Sequence, residues 1–299
     1  MKLFPGFSRK RISGSNARIN LVTGGEGPAV LMLHGYPETH AMWHKVAPAL
    51  ARDYTVVCAD LRGYGDSSKP RGLPDHSNYS KRAMARDMAE VMTALGHRRF
   101  HVVGHDRGGR VAHRLARDHG SGARARVMSL TVLDISPTLR VFESTDMALA
   151  RAFYHWFFLI QPAPMPERMI ASMRRDYLLG RIGRGPGGLG AFPKAVQREY
   201  LRCFDARGIH GSCEDYRAAA TIDLLHDRKS IKRKLSMPVL ALWARHSPVG
   251  MMFDCLADWR AVARDVRGRA LDCGHFLPEE KPAEVLRELR RFLPLGKGA

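Results

Sequence analysis

The chain has 299 residues, 45% of them hydrophobic, with 48 Lys and Arg against 29 Asp and Glu for a formal net charge of +19. That length suits one α/β domain with a large insertion, and the ordinary apolar share excludes a collagen-like or disordered chain. The charge raises a nucleic-acid reading. Yet the basic pieces are short and dispersed ("RKR" at 9–11, "RR" at 174–175, "KRK" at 232–234), without zinc-finger spacing or an RNA-recognition signature, so a solvated basic surface that attracts small anions is expected instead.

The basic start, "MKLFPGFSRKRISGS", has no apolar stretch after it, so no signal peptide is expected. "RKRIS", a turn at Gly14-Ser15-Asn16 and "RINLVTGG" predict two short antiparallel strands. Continuous apolar runs follow at 29–35, 54–60, 100–106 and 127–136, and again at 238–244 and 266–275. Such runs fit strands buried on both faces of a parallel sheet. Amphipathic stretches between them, such as 80–95 and 109–119, predict helices, and the alternation implies βαβ units. From Pro137 to about Leu225 no clear strand appears, which predicts a helical cap over 137–225 within a core of 1–136 and 226–299. The greasiest run there, "FYHWFFLIQ" at 153–161, is too short to span a membrane. Five scattered cysteines without a C-x-x-C pair fit a reduced, cytoplasmic protein.

Open α/β sheets bind ligands at the carboxyl ends of their strands. Asp106, Asp134 and His275 all fall there. Their order matches the nucleophile, acid and base of α/β-hydrolases, and "GHDRG" at 104–108 has the glycine frame of a nucleophile elbow. Singly, Asp134 could cap a helix and His275 could be a surface histidine; together with the frame they form a candidate triad. "HGYPETHAMWH" at 34–44 follows a strand and would set the backbone N–H of Tyr36 beside that of Arg107, as an oxyanion hole. His40 and His44 have i, i+4 spacing, but no glutamate motif accompanies them, so no metal is expected.

An aspartate at the centre of the elbow selects the electrophile. Serine attacking a saturated carbon would form an ether that water cannot cleave. A carboxylate forms an ester, which water activated by His275 can hydrolyse at Cγ of Asp106. Asp106 therefore points to displacement at an sp³ carbon, by carbon–halogen cleavage or epoxide opening. Arg107 and Arg110 follow it at one-turn spacing. Guanidinium groups grip carboxylates bidentately, so the pair favours a small carboxylic acid; two surface arginines in an arginine-rich chain are the plain alternative.

"GHDRGGRVAHRLA", "VLDISPT", "FYHWFFLIQPAPMPE", "CEDYRAAA" and "GHFLPEE" resemble the fluoroacetate (haloacetate) dehalogenases of the α/β-hydrolase superfamily, from about residue 17 to 293. The resemblance implies an α/β-hydrolase fold, a mostly parallel central sheet flanked by helices, with an inserted helical cap. It implies Asp106 as nucleophile, Asp134 as triad acid, His275 as base, and Arg107 and Arg110 as the grip on a substrate carboxylate. His155, Trp156 and Tyr216 would donate hydrogen bonds to the departing halide. It also implies a homodimer, with no cofactor. Members of the family usually carry a cap tryptophan shortly before an "AF" pair. Here "GRIGRGPGGLG" precedes Ala191-Phe192, which predicts a larger, looser pocket that favours chloro- and bromoacetate over fluoroacetate and admits 2-chloropropionate. The expected reaction is hydrolytic dehalogenation of short 2-haloacids, without nucleic-acid or membrane partners. The alternatives are an epoxide hydrolase using Asp106 and His275 with tyrosines from among Tyr154, Tyr177, Tyr200 and Tyr216, and a non-catalytic ligand-binding protein.

Overall fold

The computed structural model describes residues 3–122 and 125–294. Its centre is an eight-stranded sheet: β1 (Ser8–Ser13), β2 (Arg18–Gly24), β3 (Ala29–Leu33), β4 (Thr55–Ala59), β5 (Phe100–His105), β6 (Val127–Leu133), β7 (Val239–Ala244) and β8 (Val266–Leu271). Their spatial order is β1-β2-β4-β3-β5-β6-β7-β8. β1 and β2 pair antiparallel, as do β2 and β4, whereas every pair from β4 to β8 is parallel.

The central strands are buried along their whole length, as their unbroken apolar runs require. β3 (AVLML) and β5 (FHVVGH) have every residue buried. β8 differs from the expectation of a strand covered on both faces. As an edge strand it pairs only with β7, and its charged residues Arg267 and Arg269 are exposed. Helices Lys81–Ala94 and Asp106–His119 pack together, the second directly on β5 and β6. Among the described residues, every regular element between β6 and β7 is helical, from Thr138–Glu143 through Ile222–Ser230, so the helical stretch runs five residues beyond the predicted limit.

The sharpest local constraint is the β5-to-helix turn. A Cβ on Gly108 would lie 2.4 Å from the carbonyl oxygen of His34 and 2.5 Å from that of Leu33; on Gly104 it would lie 2.4 Å from the carbonyl oxygen of Gly108. These obstacles are backbone atoms that cannot rotate away. Gly108→Ala must therefore push the helix off β3, and it is expected to destabilise the fold by about 1–3 kcal/mol, the range for overpacking a filled interior. Urea unfolding of the variant beside the parent protein measures this.

Candidate active site

Asp106 is the first residue of helix Asp106–His119 and sits at φ 42°, in the left-handed region. A non-glycine residue there is strained, and such strain is usual at a nucleophile elbow. The turn lifts the carboxylate to the carboxyl edge of the sheet at the positive end of a helix. The backbone N–H of Tyr36, in the loop after β3, donates to Asp106 Oδ2 at 3.1 Å. No protein donor among the described residues holds Oδ1. Burial opposes the charge on Asp106, but His275 and Arg107, with smaller help from His105 and Arg110, hold its carboxyl below the usual range.

Asp134 follows β6 and is also left-handed, at φ 52°. Its Oδ2 lies 2.5 Å from His275 Nδ1. Its Oδ1 accepts from Ala244 N–H and the Ser247 hydroxyl, both at 2.8 Å. With both oxygens engaged, Asp134 is held rigidly against the His275 imidazole. His275 lies in the turn between β8 and helix Leu277–Glu280. Glu280 clamps that turn by accepting from Gly274 N–H at 2.8 Å and Phe276 N–H at 3.1 Å.

A cavity of about 100 Å³ is lined by Asp106 and His275 from the sheet side and by Phe153, His155, Trp156, Arg181 and Arg184 from the helical insertion. The glycine-rich stretch predicted to loosen the pocket contributes to its lining. Arg181, at the end of helix Arg174–Ile182, and Arg184 stand in the wall. The glycines there let the segment approach the base's loop: a Cβ on Gly274 would lie 2.8 Å from Gly185 Cα. Tyr216, on helix Ala206–Ala220, completes an aromatic cluster with His155 and Trp156, at ring distances of 5.8 and 6.1 Å.

Arg107 and Arg110 are both buried, which removes the reading as surface arginines. They differ in commitment. Arg107 makes a two-pronged pair with Asp215 through Nε and Nη2, at 2.8 and 2.9 Å, and its guanidinium lies 4.0 Å from the Tyr216 ring centroid. Its Nη1 has no partner among the described residues. Arg110 Nη1 donates to Thr138 Oγ1 at 2.9 Å and the Ser136 carbonyl at 3.2 Å. No carboxylate among the described residues pairs with it, and its Nε is buried without a partner. Burial, then the charge of Arg107, lower its pKa to about 10, so it stays protonated at neutral pH.

Of the two backbone donors expected to form an oxyanion hole, Tyr36 N–H reaches Asp106, and no bond from the Arg107 backbone N–H to Asp106 is found among the described residues. His40 bonds Asp60 and His44 the Ala41 carbonyl through Nδ1, so these rings do not converge on a metal. Sequence reasoning missed Ser247, Asp215 and Arg181. It also missed a buried pair behind the nucleophile: His105 Nδ1 lies 3.0 Å from Glu38 Oε2, and His105 Nε2 is 2.8 Å from the His275 carbonyl oxygen. The five cysteines are unpaired and buried, and among the described residues no helix is long and apolar enough to cross a membrane.

An aspartate on the elbow, a strand-end aspartate and a histidine beside it on this sheet fit an α/β-hydrolase, and residues 28–282 match the family described as alpha/beta hydrolase fold. The chain belongs to that family. It is 46% identical to the fluoroacetate dehalogenase of Burkholderia sp. over 97% of this chain and 95% of that one. It is also 34% identical to the soluble epoxide hydrolase of Corynebacterium sp. (strain C12), covering 93% and 94% of the two chains. Among solved structures, ALR0039 from Nostoc sp. PCC 7120 superposes with a TM-score of 0.93 at 52% identity over 96% of this chain and 97% of that one.

His105 makes a pH effect testable. Burial, the largest single influence, lowers its pKa, but the charge and hydrogen bond of Glu38, with the Asp106 charge and the His275 carbonyl, together outweigh burial and raise it to about 9. A raised folded-state value gives stability that is complete below the unfolded value of about 6.5 and is lost as pH rises towards 9. Thermal unfolding midpoints of the parent protein should fall between pH 6.5 and 9.5, and His105→Gln should flatten that slope.

Proposed function

We propose that the protein hydrolyses short 2-haloacids, haloacetate and water giving glycolate and halide. The observation that carries this reading is the shared wall: Asp106 and His275 line one small cavity whose remaining face bears hydrogen-bond donors, with two buried guanidinium groups beside the nucleophile. The helical insertion acts as the cap. Asp106 Oδ1 attacks the halogen-bearing carbon; a C–O bond forms and the halide leaves with the bonding pair. His275 then takes a proton from water as the water oxygen attacks Cγ of Asp106. Negative charge gathers on Oδ2, where Tyr36 N–H already donates, and Asp134 balances the imidazolium. The ester's acyl–oxygen bond breaks, His275 returns the proton to the leaving alkoxide, and glycolate departs.

Arg110 is the stronger grip for the substrate carboxylate, because its charge has no carboxylate partner of its own. Arg107 adds its free Nη1 while holding Asp215. The sequence similarity to a fluoroacetate dehalogenase supports the same reading. An epoxide hydrolase would share Asp106 and His275 but would leave the Arg110 charge without a role.

His275→Asn should permit the attack and block hydrolysis. Incubated with chloroacetate, that variant should gain the mass of a carboxymethyl group on Asp106, seen by peptide mass spectrometry. Oxygen from labelled water appearing in glycolate but never in Asp106 of the parent enzyme would overturn the covalent scheme. Arg110→Leu should lower kcat/KM for haloacetates by about a hundredfold, roughly 3 kcal/mol, as when one partner of a buried charge pair is removed. Arg107→Leu should also lower the unfolding temperature, because it breaks the Asp215 pair. Haloacetamides should be poor substrates; turnover of haloacetamides or epoxides as fast as haloacetates would defeat the carboxylate reading.

A further inference from the structure

Arg181 lines the cavity, yet no carboxylate among the described residues pairs with it. Its Nη2 lies 3.1 Å from His155 Nε2, and its Nε is buried without a partner. A guanidinium has donors only, so this contact has one polarity: Arg181 donates and His155 Nε2 accepts. A neutral imidazole that accepts at Nε2 carries its proton on Nδ1. Burial, then the Arg181 charge, push the His155 pKa well down, which keeps the ring neutral.

His155 Nδ1 is buried, and nothing among the described residues accepts its proton. Tyr216 Oη, in the same aromatic cluster, is likewise buried without a partner. A buried donor without an acceptor is costly, and these two share a neighbourhood beside the cavity that Asp106 lines. An arriving anion would satisfy both.

We propose that Arg181 is a positioning residue that fixes His155 as its Nδ1–H tautomer, so that His155 and Tyr216 present two ready donors to the departing halide. The proposal rests on the dehalogenase reading above. The imidazole donates a hydrogen bond and keeps its proton, so the halide leaves as the anion with the bonding pair. Arg181 thus forms part of the pocket wall and controls the donor's tautomer. Fluoride, the poorest leaving group of the series, depends on those donors most.

The test combines nitrogen-15 NMR of histidine-labelled protein with kinetics, in the parent enzyme, Arg181→Met and Arg181→Lys, with His155→Asn to assign the signal. The parent enzyme should show His155 protonated on Nδ1 and bare on Nε2, and that N–H signal should move on titration with sodium fluoride or chloride. Arg181→Met should shift the proton towards Nε2 and weaken the halide response. It should lower kcat for fluoroacetate about tenfold more than for chloroacetate, with KM little changed, as expected when a preorganised donor is loosened. Arg181→Lys, which can still donate to Nε2, should restore the tautomer and most of kcat.

A parent enzyme protonated on Nε2, or a tautomer unchanged in Arg181→Met, overturns the proposal. So does a rise in KM shared by all haloacetates with kcat preserved, which would make Arg181 a carboxylate ligand. A parent enzyme that releases halide from no haloacid overturns the dehalogenase reading instead, while the tautomer and halide titrations still decide the role of Arg181.

Discussion

The close approach of the elbow helix to β3 is the constraint on which the site depends. With no side chains at Gly104 and Gly108, the helix can begin against the carbonyls of Leu33 and His34. That contact fixes two things together. It forces Asp106 into the left-handed region at the mouth of the turn, and it brings the loop after β3 close enough for Tyr36 N–H to reach the Asp106 carboxylate. Asp106 and the Tyr36 N–H, the proposed nucleophile and oxyanion donor, therefore meet beside one backbone contact. The strain at Asp106, of order 1–3 kcal/mol for such a conformation, is held by the surrounding sheet and not by local preference.

The second organising feature is how charge is distributed in a dry site. Asp106 is surrounded by cationic groups that keep it ionised and hence nucleophilic. Those cations would repel one another if all were bare. Asp215 resolves part of this by pairing with Arg107 while also meeting Lys81 and the Tyr64 hydroxyl. Of the two arginines that follow Asp106, Arg110 is the one left without a carboxylate of its own among the described residues. A buried, unpaired charge is costly, and a substrate carboxylate is the group that would complete it. A neutral substrate would not, which is the electrostatic argument for an acid as substrate.

Much of this was legible in the sequence because it rests on local patterns. The unbroken apolar runs at β3, β5 and β6 could be little other than interior strands, and the carboxyl ends of β5 and β6 located Asp106 and Asp134, while His275 follows the last strand, β8. The glycine frame around Asp106 is a backbone requirement written in residue type. What could not be read depends on separation along the chain. Asp215 finds Arg107 across 108 positions, and Glu38 finds His105 across 67, with no spacing rule joining them. The extent of the helical stretch was misjudged because Ile222–Ser230 carries too weak an apolar face to signal a helix. Arg181 was hidden by composition: in a chain with 48 basic residues, one more arginine beside several glycines carries no signal.

The glycine-rich segment has a second reading in the fold. Six glycines between 180 and 190 suggest a loose wall. In the fold, Gly185 instead lets the segment lie against Gly274 and Glu280, the residues that frame the His275 turn. The same segment carries Arg181 to His155. One stretch of the helical insertion therefore touches both the base's loop and the proposed halide donors. His155, Tyr216 and Arg181 all belong to the insertion, so their mutual arrangement is set within it. The contact of Gly185 with Gly274 and Glu280 then sets where that group of side chains stands relative to His275 and Asp106.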